Sequence, residues 1–131
     1  MESTYQISKG RLWTSYILQG LIVLLFLFGA VSNILQTEMA VKGATDLGYS
    51  SDSVLYMGLI LLISTLLYLI PKTAIFGAVL LTGWLGGAVA THIMHKDPLF
   101  NMIFPVVFGI LIWLCIWLRN NKLQQLMPFV R

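Results

Sequence analysis

Four long stretches of this chain contain no Asp, Glu, Lys or Arg: residues 12–37, 54–71, 73–91 and 98–118. A charge at the centre of a membrane helix opposes insertion by about 2.5–3.5 kcal/mol, so charge-free runs of this length reflect selection. A membrane helix needs about 20 mostly apolar residues, within a range of about 17–25. Spans are therefore expected over residues 13–32, 54–70, 74–94 and 99–118. Composition agrees. Of 131 residues 58% are hydrophobic and only 10% charged, against about 45–50% and about 25% in a soluble domain. A folded monomer this small has too little polar surface here to be covered in water. The expectation is an all-α, polytopic membrane protein: one domain, a four-transmembrane-helix bundle. The single cysteine, Cys115, excludes a disulfide scaffold, a CxxC pair and a multi-cysteine metal site.

The connections are unequal. Pro71-Lys72-Thr73 is only a turn, which makes the second and third spans a tight antiparallel hairpin. His95-Lys96-Asp97-Pro98 is a similarly short link before the fourth. Residues 33–53 form the one long loop, where Leu35, Met39 and Leu47 recur at helical spacing among Glu38, Lys42 and Asp46. A short amphipathic helix lying on the membrane is expected there. Gly48 would stop it, and Ser51 or Asp52 would cap the second span. In the fourth span Pro105 and Gly109 are expected to bend the helix.

With four spans, Lys9, Arg11, Lys72, Arg119, Lys122 and Arg131 share one side, and Lys42 and Lys96 the other. Lys and Arg resist translocation, so both termini are expected in the cytoplasm. Trp13, Tyr16, Tyr68 and Trp117 then fall near the inner interface, and Tyr49 and Tyr56 near the outer one. A competing reading makes the first span a signal peptide, with Lys9 and Arg11 as its basic lead and Ala30-Val31-Ser32 as a cleavage site. The three spans left would put the ends on opposite sides, which fits the charges less well. The formal charge of +3 reads as topology and contact with anionic lipid, and no nucleic-acid partner is expected.

The third span carries the most pattern. Ala78, Thr82, Gly86 and Ala90 follow at i+4, and Gly83, Gly87 and Thr91 form a parallel row. Small residues at this spacing let helix backbones approach, so the row is expected to bury this helix inside the bundle. His92 and His95 close the span at i,i+3, on a face that also carries Trp84 and Ala88, roughly opposite the small-residue row. Two imidazoles so placed are candidates for a ligand or cofactor (quinone or haem), with Asp97 nearby. A metal would need a further ligand from Glu38, Asp46 or Asp52, and no metal set is assigned. The polar groups inside the spans, Gln19, Asn33, Ser64, Thr65, Thr82 and Asn101, carry no charge. Ion-coupled pumps generally need an ionisable group near mid-membrane. There is no Ser-His-Asp, HExxH or P-loop pattern, and no catalytic residue is assigned.

The string Pro71-Lys72-Thr73, then residues 77–82 and 85–92, then Asp97-Pro98, resembles the DoxX-like family of small four-helix membrane proteins. The triplet Leu47-Gly48-Tyr49 and the spacing of the spans resemble it too, over about residues 28–128. The resemblance implies a bundle in the bacterial inner membrane. Relatives in the wider group are subunits of membrane oxidoreductase assemblies linked to quinone, thiol or oxidative-stress chemistry. They often carry a basic residue where Asn33 stands and a glutamate near Leu61, and this chain has neither. The leading expectation is a non-catalytic accessory or assembly subunit. It would pack as a homo-oligomer or against a membrane protein partner through its small-residue faces. The second is a redox subunit holding quinone or haem with His92, His95 and Trp84. The third is a channel or carrier for a neutral or lipophilic small molecule beside Gly83 and Gly87.

Overall fold

A computed structural model of the chain describes residues 6–130. Arg131, one of the basic residues counted above, lies outside them. Among the described residues every regular element is a helix, with no strand. The six helices are α1 (Lys9–Ile34), α2 (Glu38–Asp46), α3 (Ser53–Leu69), α4 (Ala74–Met94), α5 (Leu99–Trp117) and α6 (Asn121–Leu126).

Helices α1, α4 and α5 are long and apolar enough to cross a membrane, and α3 is a shorter apolar helix of 17 residues. Their surface is inverted relative to a soluble bundle. Leu24, Phe28, Ile60, Phe76 and Ile110 are all more than half exposed, and they lie on all four helices. Apolar side chains turned outward along four helices mark a surface made for hydrocarbon. The chain is a helical membrane protein.

The four long helices form a closed ring in which α1 packs on α3, α3 on α4, α4 on α5, and α5 on α1. The diagonal pairs are apart. Two glycines set the tightest contacts. A Cβ at Gly58 would lie 2.8 Å from the Asn33 Cβ and 2.9 Å from the Ala30 carbonyl, so only glycine lets α3 sit this close to α1. A Cβ at Gly77 would lie 2.2 Å from the Tyr68 backbone nitrogen, inside the α3–α4 hairpin. The turn is closed by Thr73, whose backbone amide bonds the Ile70 carbonyl at 3.0 Å and whose hydroxyl bonds the Leu67 carbonyl at 2.8 Å.

Tyr68 stands in the last turn of α3, and its side chain turns inward to full burial. Its hydroxyl donates to the Ile112 carbonyl at 2.8 Å, across the diagonal from α3 to α5. Its own carbonyl accepts from the Gln19 Nε2 of α1 at 3.2 Å. A phenol can enter an apolar centre when its O–H finds a partner, and a helix carbonyl supplies one.

The small-residue row of α4 departs from expectation. Ala78 is buried, but Thr82, Gly83, Gly86, Gly87 and Ala90 are exposed. A Cβ at Gly83, Gly86 or Gly87 would meet nothing within 4 Å. The helix is therefore buried through Gly77, Ala78, Leu81 and Leu85. Close backbone approach is confined to the turn end of α4, where a Cβ at Gly77 would meet the backbone of α3.

The amphipathic segment forms as α2. Thr37 caps it by accepting from the Ala40 amide at 3.3 Å, and Gly48 stops it with φ of +95°. Asp52 stands at the cap position of α3 but makes no capping hydrogen bond there. Helix α5 runs through Pro105 without a break. The short α6 has no counterpart among the expected elements. Its cap, Asn120 Oδ1, accepts from the Leu123 amide at 3.1 Å.

Candidate ligand site at the acidic end

One end of the ring carries Lys9, Arg11, Lys72, Arg119 and Lys122; the other carries Glu38, Asp46, Asp52 and Asp97 with Lys42 and Lys96. At the acidic end three helices stop in the same way. After α1, α2 and α4 the residue in the left-handed conformation is Gln36 (φ +50°), Gly48 (φ +95°) and Lys96 (φ +57°). In each case the next amide reaches back five residues: Thr37 to the Ser32 carbonyl, Tyr49 to that of Ala44, Asp97 to that of His92. This is the Schellman motif. Only Gly48 adopts the backbone freely; for Gln36 and Lys96 it costs about 1–2 kcal/mol.

The motif after α4 assembles the site. It folds Asp97 back over His92, where such caps usually place an apolar contact. Here the contact is polar. Asp97 Oδ2 accepts from His92 Nδ1 at 2.6 Å, and Asp97 Oδ1 from His95 Nδ1 at 2.7 Å. Among the described residues these are the only ion pairs. Hydrogen bonds from both rings hold the Asp97 carboxyl below the usual carboxylate range. The hydrogen bond and charge of Asp97 push His95 above the usual imidazole range, with smaller help from the backbone and charge of Asp46.

The sign of each shift sets a pH window. The Asp97 contribution is present above about pH 4 and is lost as pH falls through its lowered pKa; the His95 contribution is complete below about pH 6.5 and is lost as pH rises through its raised pKa. The cap is tightest between those limits. In a histidine-detected NMR titration, His95 should reach half-protonation above pH 6.5, and Asp97→Asn should bring the midpoint down to or below it. A wild-type midpoint at or below that of the variant would contradict the pairing.

His92 also lines a groove of about 440 Å³ bounded by Trp84, Gly87, Tyr49, Met57 and Ile60. Gly83 and Ala88 line the same groove. Gly83 and Gly87 therefore border the histidine face instead of lying opposite it. At ~100° per residue they stand one position from Trp84 and Ala88. Thr82 and Gly86 turn the other way, into a second groove against Trp113 and Pro105 of α5. Thr82 accepts there from Trp113 Nε1 at 2.8 Å. Tyr49 closes the rim of the histidine groove. The Thr91 hydroxyl donates to the Gly87 carbonyl at 2.8 Å, so the Tyr49 hydroxyl donates to Thr91 in a short hydrogen bond.

The structure thus brings His92, His95 and Asp97 into one network and sets Trp84 on the adjoining groove, while Ala78, Gly86 and Ala90 stand apart from it. Glu38 and Asp52 do not join the network. Among the described residues no group of three His, Cys, Asp or Glu is placed to hold a metal ion. Sequence reasoning missed the roles of Tyr49 and Lys96. The signal for Tyr49 was its place directly after Gly48, the position that a Schellman cap folds back.

Both imidazoles are tied through Nδ1 to the two oxygens of one carboxylate. With Nδ1 donating to Asp97, the ring nitrogen left to His92 is Nε2. Neutral, it accepts a hydrogen bond; protonated, it donates one. A flat apolar ring edged by carbonyl or hydroxyl groups fits that chemistry and the Trp84-lined groove.

No curated protein and no solved structure matches the chain. A family model does: that of the DoxX-like family, over residues 17–115, which takes in all of the acidic-end network and most of the ring. The chain belongs to the DoxX-like family.

Proposed function

We propose that the chain crosses the bacterial inner membrane four times with both termini cytoplasmic. There it works as a non-catalytic accessory subunit of a quinone-linked oxidoreductase assembly, seating a quinone-type ring in the acidic-end groove. Helix α3, at ~1.5 Å per residue, is about 26 Å long, close to the hydrocarbon thickness. It is tied to α4 by a short turn and crosses with it. The basic residues at one end favour the cytoplasmic side for that end. Gly86 and Ala90, exposed on α4, leave backbone bare for a partner helix or a second copy.

The observation that carries the ligand reading is the His92–Asp97 pair at the mouth of a groove lined by Trp84. The role of Asp97 is to hold the tautomer and orientation of His92. His92 Nε2 then forms a hydrogen bond with the ring oxygen, and Trp84 gives an apolar face. The proposal needs no redox step by this chain.

Calorimetric titration of the detergent-purified protein with a short-chain ubiquinone tests it. His92→Ala should weaken binding about tenfold, the loss of one hydrogen bond to an ionisable group. Gly87→Leu should abolish binding by filling the groove, and Gly86→Leu, in the neighbouring groove, should leave it unchanged. Equal affinities for the wild type, His92→Ala and Gly87→Leu would refute the site.

A further inference from the structure

The basic end holds a separate cleft of about 450 Å³, between the start of α1, the α3–α4 turn and the end of α5. Its walls carry Tyr16, Gln19, Lys72, Arg119 and Asn120 above an apolar floor that includes Ile116. The Arg119 guanidinium is stacked on Tyr16, 4.6 Å from the ring centroid. A cation–π contact of this kind fixes the group in place without using its N–H donors. Arg119 gives one long hydrogen bond, 3.5 Å, to the Cys115 carbonyl, which leaves most of its donors for a ligand. Asn120 Oδ1 is occupied by the Leu123 amide, which leaves its Nδ2 to donate. Gln19, only 4% exposed, is held in the wall by its bond to the Tyr68 carbonyl.

Among the described residues no carboxylate offsets these cations: Glu38, Asp46, Asp52 and Asp97 all lie at the opposite end. A fixed guanidinium and an ammonium with amide and phenol donors between them suit a tetrahedral oxyanion. Leu69 and Ile75 line the same cleft while about half exposed on the outer surface, so its floor runs on into the lipid-facing side. We infer that this cleft binds one phosphate-bearing anion between Lys72 and Arg119, with the substituent of the phosphate lying along Leu69 and Ile75. Basic pockets between helices are the general means of recognising anionic headgroups. This site is independent of the groove at the acidic end.

The test uses the full chain, extracted from vesicles of 20% phosphatidylglycerol in phosphatidylcholine, with retained lipid counted by native mass spectrometry. One phosphatidylglycerol per chain is expected, with phosphatidylcholine washed away. Lys72→Gln and Arg119→Gln should each lower that retention at least about fivefold, given the value of one cation at a membrane surface. Lys9→Gln removes the same charge from the same end but outside the cleft, and should leave retention intact. Lys72 is on an exposed turn, so its variant keeps the test valid if Arg119→Gln does not fold. A second arm titrates lipid-free protein with inorganic phosphate. Saturable binding that depends on Arg119, without lipid retention, would assign the same site to a free phosphate. Equal retention of both lipids with no phosphate binding would overturn the inference. So would equal losses from Lys9→Gln and Lys72→Gln.

Discussion

Gly77→Ala should destabilise the bundle by about 3 kcal/mol or more, the upper end of what overpacking does in a filled core. The added Cβ meets backbone: the Tyr68 nitrogen at 2.2 Å, the Tyr68 Cα at 2.5 Å and the Leu67 carbonyl carbon at 2.7 Å. A side chain could swing away; backbone inside a helix cannot. Relief requires α3 and α4 to separate by more than an ångström at a turn that fixes both ends, so neighbouring contacts open as well. In hydrocarbon this matters more than in water. Lipid tails are as apolar as Leu, and close packing supplies most of the attraction between helices. The control is Gly86→Ala, four ångströms or more from any neighbour that its Cβ could meet. It should be neutral or slightly stabilising, because alanine is the better helix former. Reversible unfolding in mixed micelles with rising SDS, followed by circular dichroism, measures both. Coincident curves for Gly77→Ala and wild type would show that the two helices are not in this contact.

The contrast between Gly77 and Gly86 also shows where sequence reading stops. The helices themselves were legible because hydrocarbon excludes charge, and that exclusion is written directly in the charge-free runs. The His–Asp cluster was legible in part, since i,i+3 spacing puts His92 and His95 on one face and Pro98 forces a turn beside Asp97. Which face of each helix points inward was not. In water a half-buried helix alternates polar and apolar residues, and the period reveals its core side. In a bilayer both sides are apolar, so that period vanishes. Gly77, Gly83 and Gly86 then look alike, although only the first is packed on backbone. The left-handed residue at Lys96 was hidden for another reason. Its side chain disfavours the conformation, and it persists because two Schellman hydrogen bonds and the Asp97 bridge hold it. An interface-loving residue type likewise said nothing about the inward turn of Tyr68.

That inward turn makes the second large effect. Tyr68→Ala should destabilise the protein by about 3–5 kcal/mol, the range for removing a buried aromatic ring. Helices α3 and α5 are diagonal in the ring, and the Tyr68 ring lies between them, reaching the Ile112 carbonyl. Its removal leaves a cavity whose lining loses dispersion contacts on one side. Tyr68→Phe keeps the ring and removes only the hydroxyl. The Ile112 carbonyl lies inside α5 and keeps its own helical partner, so it is not orphaned, and the loss should be about 1 kcal/mol. The Gln19 bond goes to the Tyr68 backbone and survives both changes. The two variants therefore separate volume from hydrogen bonding at one position. Unfolding in the same micelles should rank wild type above Tyr68→Phe and both well above Tyr68→Ala. If the phenylalanine variant fell as far as the alanine one, the hydrogen bond to α5 would be the main link across the diagonal. If neither moved, Tyr68 would be facing lipid, and the ring of four helices would have to close around a different centre.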